Sequence, residues 1–74
     1  MAKHSIAIQL GKALRTRRQA AGMSQDDFAD HIDMHRAYYA AIERGEKNVT
    51  LKTLKRVADG LRVSMSDLLQ DTGN

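Results

Sequence analysis

The chain has no cysteine, no proline and no tryptophan, and these gaps narrow what it can be. Without cysteine there is neither a disulfide framework nor a thiolate metal site, so packing alone must hold 74 residues together. That suits a reducing cytoplasm. No apolar run approaches the ~20 residues needed to span a bilayer. Lys3, Lys12 and Arg15 also interrupt the part where a signal peptide keeps its apolar stretch. A cytoplasmic protein with no membrane partner is therefore expected. A glycine-rich phosphate loop is missing too, and Ser, His and Asp fall mostly on helix-capping positions, so no catalytic constellation assembles and an enzyme is not expected. His31 and His35 are four residues apart, but a turn at Asp33 separates them and no cysteine assists. Neither a metal, nor another cofactor, nor a small-molecule ligand is expected.

What remains is a chain of 42% hydrophobic residues, enough for one small domain over residues 1–74 and too short for a second catalytic unit. Its net charge is only +3, but the charges are segregated. Residues 1–22 hold Lys3, Lys12, Arg15, Arg17 and Arg18 with no acid, and residues 23–35 hold four aspartates with no Lys or Arg. Basic groups return as Arg36, Arg44, Lys47, Lys52, Lys55 and Arg56 against Glu43 and Glu46, and the tail from residue 57 is acidic again. A folded domain patterned this way has a positive side, which fits an anionic partner such as nucleic acid or a membrane surface. A solvated mixture of surface charges is the plainer alternative.

Apolar residues recur at three and four positions rather than alternating, which predicts helices and no strand. Five are expected. Ser5 caps the first, with Ile6, Leu10 and Leu14 on one stripe and Gly22 as its stop. This helix is basic enough for a membrane surface, but its narrow stripe lacks Trp or Phe, and core packing is preferred. Ser24 and Asp27 open a second helix whose buried edge is Phe28, Ala29 and Ile32. A third runs over about residues 35–44 and closes at Gly45. Thr50 caps a fourth with Leu51, Leu54, Val57, Ala58 and Leu61 inward, and Ser64 with Asp67 opens a short fifth that carries Leu68 and Leu69. Beyond Gln70 the polar tail is expected to fray. His4 reads as exposed near a loose terminus.

The third helix has an unusual surface. Tyr38, Tyr39 and Ile42 fall on one side, facing the core. Ala37, Ala40, Ala41 and Arg44 fall on the other, with Arg36 at the N-terminal edge. A face left to water usually carries long charged side chains, whereas small residues framed by arginine allow close approach to a surface. A DNA major groove about 12 Å wide admits an α-helix, and an arginine at its start can donate two hydrogen bonds to guanine O6 and N7. Helix propensity alone is the competing explanation of the alanines. On the first helix, Arg18 extends the apolar stripe by one more turn, and a guanidinium there needs a carboxylate. Glu43, one turn beyond Tyr39, is the natural candidate.

The segments LGKALRTRR, GMSQDDFA, IDM, RAYYAAIERGEKN, TLKTLKRVADGL and VSMSDLL together resemble the helix-turn-helix domain of phage repressors and Cro, the xenobiotic-response-element family. The stretch HRAYYAAIERGEKNVTL is also similar to the small controller proteins of restriction-modification systems. The resemblance implies an all-α, five-helix, lambda-repressor-like fold with the helix-turn-helix at about residues 24–44. It further implies a homodimer that binds double-stranded DNA at an inverted repeat and regulates transcription. Arg36, Ala37 and Ala41, with Arg44, would face the bases. Gln25, Tyr38, Lys47, Asn48 and Thr50 would touch the DNA backbone. Arg18 and Glu43 match the family's internal ion pair. The dimer surface is expected near Val63, Met65 and Leu69. Asp33 and Arg62 depart from the pattern, standing where the family often has glycine after a helix end. An antitoxin or accessory protein-interaction module on the same fold is the alternative, because fold alone does not fix function.

Overall fold

The computed structural model describes residues 5–73; Lys3 and His4 lie outside them. Its elements are α1 (Ile6–Ala20), α2 (Gln25–His31), α3 (Arg36–Glu43), α4 (Leu51–Leu61) and α5 (Met65–Asp71), with no strand among the described residues. Each helix except α3 starts at a hydroxyl that accepts a bond from a backbone amide three residues on. Ser5 takes Ile8 N at 3.3 Å, Ser24 takes Asp27 N at 3.0 Å, Thr50 takes Thr53 N at 3.1 Å and Ser64 takes Asp67 N at 2.9 Å. At α5 the Asp67 carboxylate returns the bond to Ser64 N at 3.4 Å, a full capping box. His35 precedes α3 without a side-chain cap.

α1 packs against α3 and α5, α2 against α3, and α4 against α5. The largest fully buried side chains are Tyr39, Phe28, Leu14, Ile42, Leu68 and Val57. Phe28 and Tyr39 meet edge to face with ring centroids 5.1 Å apart, which locks α2 to α3. Gly11 sets how closely α1 and α3 approach. A Cβ there would lie 2.7 Å from the Ile42 carbonyl oxygen and closer still to that of Glu43, so only glycine permits this crossing. Arg18, two turns further along α1, is thereby brought level with Glu43.

Asp33 and Arg62 both take left-handed φ, at 56° and 61°. For Arg62 this costs about 1 to 2 kcal/mol relative to an ordinary helical backbone. Two expectations change. Leu51 does not point inward but is 75% exposed, because it occupies the first residue of α4, ahead of the turn that packs. The tail does not fray at residue 70: α5 runs to Asp71, Thr72 is buried, and Arg17 Nε holds the Asp71 carboxylate at 2.7 Å.

Candidate nucleic-acid interface

Helix α3 is only eight residues long and is covered by α1 and α2, so little of its surface faces outward. Tyr39, Ala41, Ile42 and Glu43 are buried; Arg36, Ala37 and Tyr38 are exposed, and Ala40 is half-buried. Ala41 therefore leaves the set of expected base-facing residues. It is 6% exposed, since the two flanking helices claim its side of α3. Tyr38 moves the other way: expected on the core side by spacing, it is 37% exposed at the margin of the open strip. That strip is Arg36, Ala37 and Ala40, with Arg44 following at the helix end.

Both arginines of the strip are held by carboxylates. Arg36 Nη2 bonds Asp30 Oδ2 at 3.0 Å and its Nη1 stands 3.5 Å from Asp26 Oδ2, so α2 reaches across the turn to the head of α3. The Asp30 hydrogen bond, then the charges of Asp30 and Asp26, favour the charged guanidinium still further. Arg44 makes a two-pronged contact with Glu46, at 2.8 and 3.1 Å, which holds the Glu46 carboxyl below its ordinary range. Sequence spacing does not mark the Glu46 pair, because residues two apart do not face each other on a helix and the turn at Gly45 brings Glu46 round. Nor does it signal Asp30, because the intervening turn has to fold first.

Beneath the strip lies a buried polar network. Arg18 donates to Glu43 through Nε at 2.7 Å and Nη2 at 3.1 Å, and its Nη1 donates to the Met23 carbonyl at 2.8 Å. Gln25 Nε2 adds a bond to Glu43 Oε1 at 2.9 Å. The side chains of Arg18 and Glu43 are only 7% and 2% exposed, so α1, the start of α2 and the end of α3 are fixed to one another at this point. Burial pushes the Glu43 carboxyl up, but hydrogen bonds from Arg18 and Gln25 outweigh it and keep the group below the usual carboxylate range. The Tyr39 hydroxyl is buried beside the pair, with no hydrogen bond of proper geometry; burial first, then the charge of Glu43, oppose its ionisation. Gln25 retains a second amide N–H beyond the one given to Glu43.

Lys47, Asn48 and Thr50 are exposed on the loop between α3 and α4, with the Thr50 hydroxyl engaged in capping. Of the three residues expected at a dimer surface, Val63 and Met65 pack partly against the protein's own core, whereas Leu69 is 45% exposed. Ile6, 49% exposed, and Leu51 share an open groove with Leu69, also lined by Val49. Among the described residues no helix is long and apolar enough to cross a membrane.

Comparison with known proteins agrees with this architecture. The helix-turn-helix family model, HTH_3, matches residues 14–68. The control protein C.MunI of a Mycoplasma species is 38% identical over 69 residues, covering 92% of this chain and 93% of the relative. The crystal structure of the clp gene regulator ClgR from Corynebacterium glutamicum superposes with a TM-score of 0.88 at 29% identity, over 92% of this chain and 87% of that one. The restriction-modification controller protein C.Esp1396I, a tetramer in complex with its natural 35 base-pair operator, matches with a TM-score of 0.80 at 27% identity, over 93% and 96% of the two chains. With its buried Arg18–Glu43 pair, open α3 strip and matched fold, the chain belongs to the helix-turn-helix family of transcription regulators.

Proposed function

We propose that this chain is a cytoplasmic, non-enzymatic transcription regulator that binds double-stranded DNA sequence-specifically as a homodimer, in the manner of the restriction-modification controllers it resembles. The observation that carries the reading is the open strip of α3, where the exposed Ala37 and the half-buried Ala40 stand between two exposed arginines. Arg36 reads a base edge, and Ala37 permits close approach and contact with a thymine methyl. Arg44 stands at the edge of the groove. Gln25, Tyr38, Lys47, Asn48 and Thr50 face the backbone, where phosphate contacts fix register without reading sequence. Because α3 offers so few polar groups, DNA shape carries part of the specificity.

Selection of bound fragments from a random DNA pool tests this reading directly. An inverted repeat with half-sites roughly 34 Å apart is expected, and a pool that never enriches would sink it. Lys47→Ala separates backbone from base contacts. It is expected to weaken selected and random duplexes alike and to shallow the salt dependence by about one unit of slope. A loss confined to the selected duplex would place Lys47 on a base instead.

Two-fold symmetry needs a self-complementary patch, and Ile6, Leu51 and Leu69 provide the exposed apolar surface for it. Leu69→Lys is expected to leave the fold intact, since the side chain is half open, and to shift the protein to monomer in sedimentation. A wild-type protein that is already monomeric at micromolar concentration would remove the dimer from the proposal. The protein-interaction alternative is separated by DNA-cellulose chromatography. Retention that weakens with salt favours DNA, and no retention at low salt favours a protein partner.

A further inference from the structure

We propose that Asp30, supported by Asp26, is a specificity-determining residue that reserves the Arg36 guanidinium for an uncharged base edge and withholds it from phosphate. This rests on the reading of α3 as the helix that enters the groove. Asp30 accepts from Arg36 Nη2 at 3.0 Å and Asp26 stands 3.5 Å from Nη1, so one guanidinium charge is shared between two carboxylates. The three side chains are 59%, 60% and 64% exposed for Arg36, Asp30 and Asp26, and exposed pairs of this kind add little to folding stability. Their consequence lies in what can approach Arg36. A guanidinium has five N–H donors, so the contacts to Asp30 and Asp26 leave others to reach outward. Guanine O6 and N7 are neutral acceptors and tolerate neighbouring carboxylates. A phosphate is an anion and is repelled by them at the same distance. An arginine whose charge is already balanced also contributes little to counterion release, the term that drives binding to unrelated DNA. Asp27 and Asp33 are exposed on the same segment, which contains no Lys or Arg between residues 23 and 35.

The test measures binding of labelled duplexes, one carrying the site selected from the random pool and one of random sequence, across a salt series. Asp30→Asn keeps the shape and an acceptor oxygen but removes the charge. It is expected to raise affinity for the random duplex about three- to tenfold and to steepen its salt dependence by about one phosphate. Affinity for the selected site should change by less, so the ratio between the two falls. The melting temperature should stay within a degree or two of wild type. Asp27→Asn, which removes an equal charge from the same helix without an ion pair to Arg36, should do distinctly less. In an Arg36→Ala background the effect of Asp30→Asn on that ratio should vanish. Equal gains on both duplexes, an equal effect of Asp27→Asn, or a fall in the ratio that persists without Arg36 would each overturn the proposal in favour of a general loss of negative charge. Wild-type protein that binds neither duplex at low salt would instead overturn the DNA reading itself, and this inference with it.

Discussion

Glu43→Ala is expected to cost about 3 to 5 kcal/mol of folding stability, because removing one partner of a buried pair leaves the other charge without compensation. The stranded group is Arg18, whose side chain is 7% exposed and whose Nε and Nη2 both end on the Glu43 carboxylate. Gln25 loses its acceptor in the same step. A domain of this size has little stability to spare, so a thermal melt of the variant should show most of the cooperative transition gone near room temperature. An unchanged melting temperature would mean that the guanidinium reaches solvent and the network is not structural. The double variant Arg18→Met, Glu43→Leu should recover most of the loss, since two apolar groups of similar volume leave no buried charge unpaired, although Gln25 and the Met23 carbonyl each lose a partner. The pH dependence has a definite sign. The folded-state Glu43 carboxyl lies below its ordinary value despite burial. Its contribution is therefore complete above the unfolded value of about 4.3 and is lost as pH falls through the folded one. Wild-type protein should lose stability in that acid window, and the apolar double variant should lack this component.

Much of this arrangement is legible in the sequence, and what is not has a common cause. Helix starts at Ser5, Ser24, Thr50 and Ser64 follow from local chemistry, since each cap bond spans three residues. The Arg18 and Glu43 pairing follows because a charge on an apolar stripe requires a partner. Ala41 misleads because a helical wheel assumes one buried side, whereas α3 is covered by α1 and α2 at once and only a narrow strip stays open. Leu51 and Tyr38 mislead for the related reason that periodicity assigns a side but not where along the helix packing begins or ends. The role of Gly11 depends on another backbone 32 residues away, and nothing near it in sequence marks the crossing. The Asp30 contact to Arg36 needs the turn at Asp33, with its left-handed φ of 56°, before the two side chains can meet.

The withdrawal of Ala41 from the outer face concentrates direct reading on one residue, which makes Arg36→Ala the sharpest functional test. Ala37 can offer only a methyl group, Ala40 is half-buried, and Arg44 lies at the end of the helix with two of its nitrogens on Glu46. Loss of a bidentate arginine–guanine contact is worth about 1 to 3 kcal/mol, roughly a five- to 150-fold fall in affinity for the selected site. Affinity for random duplex should fall by distinctly less. Removing the guanidinium also leaves Asp30 and Asp26 uncompensated, but that repulsion acts on both duplexes alike, so the difference between them reports the lost base contact. A repeated selection with the variant should return sites in which one guanine per half-site has become variable while the spacing is kept. Equal losses on both duplexes would make Arg36 a phosphate contact. Sequence preference would then have to come from deformation of the duplex under the loop at Lys47 and Asn48 and the helix starts that flank it.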